Sequence, residues 1–312
     1  MSSFSLVAGI VAPMFLLMLC GWLLRQTKTL PESAFSAMNK LCFVLLLPAS
    51  LVNNLIKATD FSRLTPRFLL WLLLLQAVIV GTLFLVVPRL VKENPSRASI
   101  IQAGFRSNFL VFGLVIAASL VSSDELALVS VAAGLLIPLY NIGGILILQH
   151  YCGGKTSVSE MLKIFIKNPF VIACIIGLSV SLLKIPLPTP VNSCVNSLAG
   201  AATTVSFIAL GGCTDLKKLR SVSRNVIVGT VLRLVVLPVI VIGLTVLAGF
   251  RGIELLTVVV MAIAPTAVAT FPLAERMHAD GPLAGYLVVS QSVFSIVTIF
   301  VWLLVLNATG LV

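Results

Sequence analysis

The chain has 312 residues, of which 59% are hydrophobic and 10% charged, with a formal net charge of +11. Ordinary soluble domains carry about 25% charged residues, so a water-soluble fold of this size has too few charges to cover its surface, and the solvent that suits the chain is lipid. The positive excess does not require nucleic acid as a partner, because cytoplasmic loops of membrane proteins collect Lys and Arg.

In chain order, ten segments pass the length test of roughly 20 apolar residues for a helix that spans the hydrocarbon core. They are predicted over residues 5–24, 36–56, 67–88, 100–121, 125–149, 165–184, 192–213, 225–249, 253–273 and 283–307. The seventh is the most dilute, since Ser, Thr, Asn and Gly recur from Asn192 to Gly212. No Lys or Arg precedes the first segment and no clear small-residue cleavage site follows it, so residues 5–24 read as a first span and not as a cleaved signal. The six cysteines form no C-x-x-C pair, and five lie in or at the edge of apolar segments. That pattern favours small buried apolar residues over a disulfide framework or a zinc site.

Loop charge sets the orientation. With the N-terminus outside, the inner loops hold fourteen Lys and Arg and the outer loops five, while Arg106 and Arg233 fall within spans. The bias predicts both termini outside a cytoplasmic (inner) membrane.

The two halves carry a weak internal repeat. Residues from Gly21 read GWLLRQTKTLPESAFSAMNKLCFVLLLPASLVNNLIKATD, and residues from Gly177 read GLSVSLLKIPLPTPVNSCVNSLAGAATTVSFIALGGCTD. Both have Gly in one span, a short Pro-containing loop, an Asn early in the next span, and Thr-Asp after it (Thr59-Asp60 and Thr214-Asp215). Five spans per half is an odd number, so the second copy must be inverted, an arrangement typical of secondary transporters. The expected division is a first five-helix repeat over 1–150, a cytoplasmic linker over 151–164 and an inverted repeat over 165–312.

Polar and helix-breaking residues deep in corresponding spans mark the candidate site, because broken backbone is tolerated at membrane depth only beside protein or a water-filled cavity. The fourth segment contains Arg106-Ser107-Asn108 and then Gly113. At about 1.5 Å per residue, Asn108 lies about 13 Å deep. The ninth contains Pro265-Thr266, then Thr270 and Pro272. Counted from outside at the same rise, Pro265 lies at roughly 18 Å. Symmetry would bring these two breaks together, aiming free N–H groups and positive helix ends at one point that suits a carboxylate. The competing reading is a simple kink at Pro265 and an interhelical bond from Asn108.

Asn53 and Asn54 follow Pro48 in the second segment, Tyr140 and Asn141 follow Pro138 in the fifth, and Ser290, Gln291 and Ser292 lie in the tenth. Each is a candidate ligand, although interhelical hydrogen bonding also accounts for each. The ten carboxylates and both His fall at span ends or in loops, so no buried acid for a proton relay is visible. A sodium site made of carbonyls and hydroxyls stays open, as does uncoupled transport. The two intramembrane arginines could attract an anion or snorkel to the inner interface. For Arg233 the expected outcome is a head that reaches that interface.

These residues resemble the auxin efflux carrier family, which includes plant auxin carriers and bacterial malate and malonate permeases, over nearly the whole chain. The most specific segment is MAIAPTAVATFPLAERMHAD, residues 261–280, similar to the family's ninth span. RSNFLVFGL (106–114), RLVVLP (233–238) and NPFVIACIIGL (168–178) match in type and order. Val115 stands where the family often has Pro, and no long loop follows residue 150.

The resemblance implies an all-α integral membrane protein with ten transmembrane helices in two inverted five-helix repeats and crossed, broken fourth and ninth helices. It implies a carrier of carboxylates with Asn108 and Pro265 at the crossover. The expected substrate site is then Asn108, Ser107, Pro265, Thr266, Thr270, Asn54, Tyr140, Asn141 and Gln291, with no catalytic residue, metal or cofactor. The expected partners are a small organic anion and the lipid bilayer, with proton or sodium coupling and a homodimer left open. A membrane-embedded enzyme would need acid pairs or metal-binding His within the spans. A channel would need pore rings. The closest alternative is a sodium-coupled organic-anion symporter of the bile-acid type.

Overall fold

The computed structural model describes residues 3–58, 65–153, 157–215 and 223–309, and the regular structure among them is helical. α1 (Ser3–Gln26) leads to α2 (Glu32–Leu41), which runs through a π-helical turn at Cys42–Leu46 into α3 (Leu47–Lys57). After α4 (Pro66–Leu90) comes α5 (Asn94–Phe105), a non-helical break at 106–108, a π turn at Phe109–Gly113 and α6 (Leu114–Ala118). α7 (Ser123–Cys152), α8 (Val158–Ile166), α9 (Pro169–Leu182) and α10 (Thr189–Cys213) follow. α11 (Arg224–Val231) continues through a π turn at Leu232–Val236 into α12 (Leu237–Leu247). α13 (Gly252–Ile263) and α14 (Thr270–Arg276) are separated by a second break, and α15 (Gly281–Ala308) is last.

Among the described residues, seven helices are long and apolar enough to cross a membrane, and eight if α8 and α9 count as one bent span. The chain is therefore a multi-pass membrane protein. The fourth and ninth predicted segments fall short of the length test because they are interrupted, leaving apolar pieces at Phe109–Ala118 and Gly252–Ile263. The dilute seventh segment forms α10 without interruption.

Residues 158–164, within the expected linker, belong to α8, started by a reciprocal cap in which the Ser157 hydroxyl accepts the Glu160 N–H and the Glu160 carboxylate accepts the Ser157 N–H. One difference from expectation has a local cause. The sixth segment is not one helix. It bends by 50° between α8 and α9, where Asn168 caps α9 by accepting the Phe170 N–H at 2.9 Å and Pro169 occupies the first turn. Thr59 and Asp60 of the repeat lie outside the described residues, as do the loop cations Arg63, Lys155, Lys217, Lys218 and Arg220.

Both long-span π turns sit two residues before a proline, Pro48 and Pro238. A mid-helix proline removes one N–H and clashes with the carbonyl four residues back, and a widened turn accommodates it.

Packing gathers the helices into two groups, each drawing on both halves of the chain. α1, α2, α3, α9 and α10 form one run of packed helices, the broken segments pack with α4, α7, α11, α12 and α15, and contacts of α1 with α15 and of α7 with α3 and α9 join the two. In the first group, Gly21 and Gly211 let the α1 and α10 backbones touch, since a Cβ at either would strike main-chain atoms of Ile208 or Met18. One continuous apolar core joins both groups.

Candidate functional site

Each break releases backbone groups from the helical ladder, in which an N–H pairs with the carbonyl four residues earlier. Pro265 has no N–H, so the Met261 carbonyl is freed; it accepts from the Ser107 hydroxyl at 2.7 Å and Arg233 Nη2 at 3.0 Å. Asn108 turns its N–H away from Gly104 to the Pro265 carbonyl at 2.8 Å. The Gly104 carbonyl then accepts from Arg233 Nη1 at 3.1 Å. The Arg106 carbonyl accepts from the Ala267 N–H at 2.9 Å and the Thr266 hydroxyl at 3.2 Å. The two interruptions are thus paired as a short antiparallel bridge between Ser107 and Thr266. The carbonyls and N–H groups that the breaks free find partners in the opposite break and in the Arg233 side chain, as hydrocarbon surroundings require.

α15 supports this joint from the side. Gln291 Oε1 accepts the Thr266 N–H at 3.1 Å, and Gln291 Nε2 donates to the Gly229 carbonyl at 3.2 Å. The Thr266 and Thr270 hydroxyls lie 3.1 Å apart, within hydrogen-bond distance.

The expectation for Arg233 is overturned. Its side chain is only 1% exposed and does not reach an interface. Besides Met261 and Gly104, it donates to the Ala264 carbonyl from Nε at 3.0 Å and from Nη2 at 2.7 Å. Snorkelling presumes that the nearest polar groups lie at the membrane surface; here the breaks supply carbonyls closer at hand.

Arg106 is also buried, at 4% exposed, and does not snorkel. Its Nη2 donates to Asn141 Oδ1 at 2.9 Å. Among the described residues, its Nε and Nη1 have no hydrogen-bond partner, nor does Asn108 Nδ2. Gly144 on α7 makes room for this side chain: a Cβ there would stand 3.1 Å from Arg106 Cδ. Arg106, Ser107, Asn108, Tyr140 and Asn141 line a cavity of about 90 Å³, closed on the other side by Phe43 and Phe170. The cavity therefore lies between the two packing groups. Arg106, Asn141 and Ala269 also line a wider cavity of about 820 Å³ that includes Glu160, Lys163 and Arg276.

The expected site residues separate into three sets. Asn108, Ser107, Tyr140 and Asn141 line the smaller cavity. Pro265, Thr266, Thr270 and Gln291 build the joint behind it. Asn54 lies apart from both cavities, its amide donating to the Ser130 hydroxyl at 3.2 Å. Arg106 was not among the expected site residues, although its place beside Ser107 and Asn108 was a readable signal. Phe43 and Phe170 carried none, being aromatic residues in apolar runs.

Comparison with known proteins gives the family. The family described as membrane transport protein matches residues 6–303. The chain is 23% identical over 299 residues to an "Uncharacterized transporter" of Methanothermobacter thermautotrophicus, covering 95% of this chain and 97% of that protein. It is also 23% identical over 304 residues to a "Putative malonate transporter" of Rhizobium meliloti, covering 94% and 93%. The chain is a membrane transporter that belongs to the membrane transport protein family, the auxin efflux carrier family its motifs resemble.

Proposed function

We propose that the protein is a secondary carrier of a small organic anion, of the malonate or malate class, and that the carboxylate sits against Arg106 in the cavity at the paired breaks. The single observation that carries this reading is the Arg106 guanidinium. It is buried, it holds one hydrogen bond to a neutral amide, and two of its nitrogens have no partner among the described residues. Desolvating such a group costs several kcal/mol unless it is paired. A carboxylate supplies the missing partner, accepting two parallel N–H bonds. The unpartnered amide nitrogen of Asn108 can donate to the same anion, and the helix starting at Phe109 turns its positive end to this side.

In this proposal ten spans form two inverted five-helix repeats, with the fourth and ninth crossing at the breaks and both termini outside an inner membrane. Lys163 and Arg276 in the wider cavity draw the anion inward from the cytoplasmic side. Access alternates as the group holding Arg106 shifts against the group holding Phe43 and Phe170, because the cavity lies on that boundary. The name of the Rhizobium meliloti relative supports malonate as the first substrate to try.

The test is uptake of labelled malonate, malate and indole-acetate by proteoliposomes, with and without sodium and pH gradients, for the wild type and Arg106→Gln. Saturable uptake of at least one carboxylate, abolished in a folded Arg106→Gln variant, supports the reading. Equal uptake by the two proteins removes Arg106 from the site.

A further inference from the structure

The second buried arginine has a different kind of environment. Arg233 donates four hydrogen bonds, all to main-chain carbonyls: Gly104 at the end of α5, and Met261 and Ala264 at the end of α13. Both helices end there with the partial negative charge of their C-terminal carbonyls directed at one guanidinium. Carriers with broken helices use such unwound carbonyls and half-helix C-terminal ends to coordinate a coupling Na⁺ or H⁺. In this chain those carbonyls are already engaged by a side chain whose charge is permanent.

We infer that Arg233 is a built-in cation: its guanidinium occupies the carbonyl site between the two broken helices that a mobile cation would otherwise enter, and by doing so it positions both breaks behind the anion site. The arginine comes from a third element, the π turn at Leu232–Val236, so it ties α5 and α13 to a neighbouring span. Ser107, whose hydroxyl shares the Met261 carbonyl with Arg233, links this clamp to the lining of the smaller cavity. Arg233 is thus a positioning residue. Its own donors face the carbonyls, while Arg106, on the other side of the break, faces the cavity. Removing the guanidinium takes the Arg233 donors from the Gly104 and Ala264 carbonyls and leaves Met261 with the Ser107 hydroxyl alone, in a water-poor place that suits a small cation. The transport consequence rests on the carrier reading above; the cation site itself does not.

The experiment uses the full-length purified protein. Thermal unfolding is followed by tryptophan fluorescence, to which Trp302 contributes from beside the clamp, its indole N–H donating to the Leu234 carbonyl at 3.1 Å. Wild type, Arg233→Ala and Arg233→Gln are compared in sodium chloride, in choline chloride of equal ionic strength, and in choline chloride with millimolar methylguanidinium. The wild type is expected to melt at the same temperature in all three. Arg233→Ala is expected to melt lower in choline and to regain part of the loss with methylguanidinium or sodium, a response that a structural defect elsewhere would not show. In proteoliposomes the same additives are expected to restore uptake by Arg233→Ala by on the order of tenfold, equivalent to about 1.4 kcal/mol. A wild type stabilised by sodium over choline overturns the inference, as does an Arg233→Ala protein indifferent to every cation. Where Arg233→Ala does not fold, Arg233→Gln decides, because stability and uptake equal to wild type in that neutral variant also overturn it. If the wild type carries none of the tested anions, the carrier reading fails while the unfolding comparison still decides the cation site.

Discussion

The main-chain N–H of Asn108 donates to the main-chain carbonyl of Pro265 at 2.8 Å. A bond between backbones means that the joint between the two halves does not depend on the Asn108 side chain. That side chain is 3% exposed, and its Nδ2 has no partner among the described residues. Asn108→Ala should therefore leave the melting temperature close to that of the wild type and lower malonate uptake by about tenfold or more, the worth of one hydrogen bond to a charged group. Uptake and thermal unfolding on the same preparation check this. An unchanged uptake rate takes the amide out of the site.

Gly144 offers a test of Arg106 that keeps the arginine and moves it. A Cβ at this position would lie 3.1 Å from Arg106 Cδ and 3.5 Å from Nη1. A branched side chain must push the arginine toward the cavity or away from Asn141. Gly144→Val should raise the KM for uptake by about tenfold, roughly 1.4 kcal/mol of anion affinity, and Gly144→Ala should do less. Concentration-dependent uptake separates this from a fall in maximal rate, which a defect in the moving parts would produce instead.

Much of this arrangement was legible in the sequence, and the unreadable part has a physical pattern. Asn108 and Pro265 stand out because a polar residue and a ring without an N–H are conspicuous in an apolar run, and a fixed rise per residue sets both near mid-span. The expected repeat would bring them together, and the Asn108 N–H does donate to the Pro265 carbonyl. Arg233 was misread because its partners are carbonyls, which every residue has and which become acceptors only once a break has freed them. The bond from Arg106 to Asn141 joins separate helices and has no local trace. Asn54, another polar residue at useful depth, donates its amide to Ser130 on a neighbouring helix, the interhelical bonding that the sequence also allowed. The bend in the sixth segment was written as Asn168-Pro169, a cap signature masked by the apolar residues on both sides.

Gln291 separates support of the joint from substrate binding. It holds the Thr266 N–H and the Gly229 carbonyl, and it is fully buried. Gln291→Leu keeps the shape, leaves the Thr266 N–H without its partner and leaves the Gly229 carbonyl with the Leu232 N–H alone. The expected loss is about 1–3 kcal/mol for the unsatisfied N–H, read as a lower denaturation midpoint in detergent. Gln291→Leu should lower maximal uptake in step with stability and leave the KM nearly unchanged. A raised KM at unchanged stability would instead place the Gln291 amide on the anion.

Pro265 tests whether the break belongs to the proline or to the network around it. The ring withholds one N–H from the Met261 carbonyl, and Ser107 and Arg233 have taken that acceptor. Pro265→Ala restores the missing N–H, which must either displace one of those donors and lengthen α13 by a residue, or stay unpaired at a cost of about 1–3 kcal/mol. Against lengthening stand the bonds from Asn108 to Pro265 and from Ala267 to Arg106, together with the hold of Arg233 on Ala264. Those contacts outnumber the single bond gained, so the break should survive. The variant should be less stable than wild type by about 1–3 kcal/mol yet retain measurable malonate uptake. Hydrogen exchange across 261–270 provides the direct reading: amides that stay as they are in the wild type mean that the paired backbone sets the geometry, whereas new helical protection through 265–268 with loss of uptake means that the proline does.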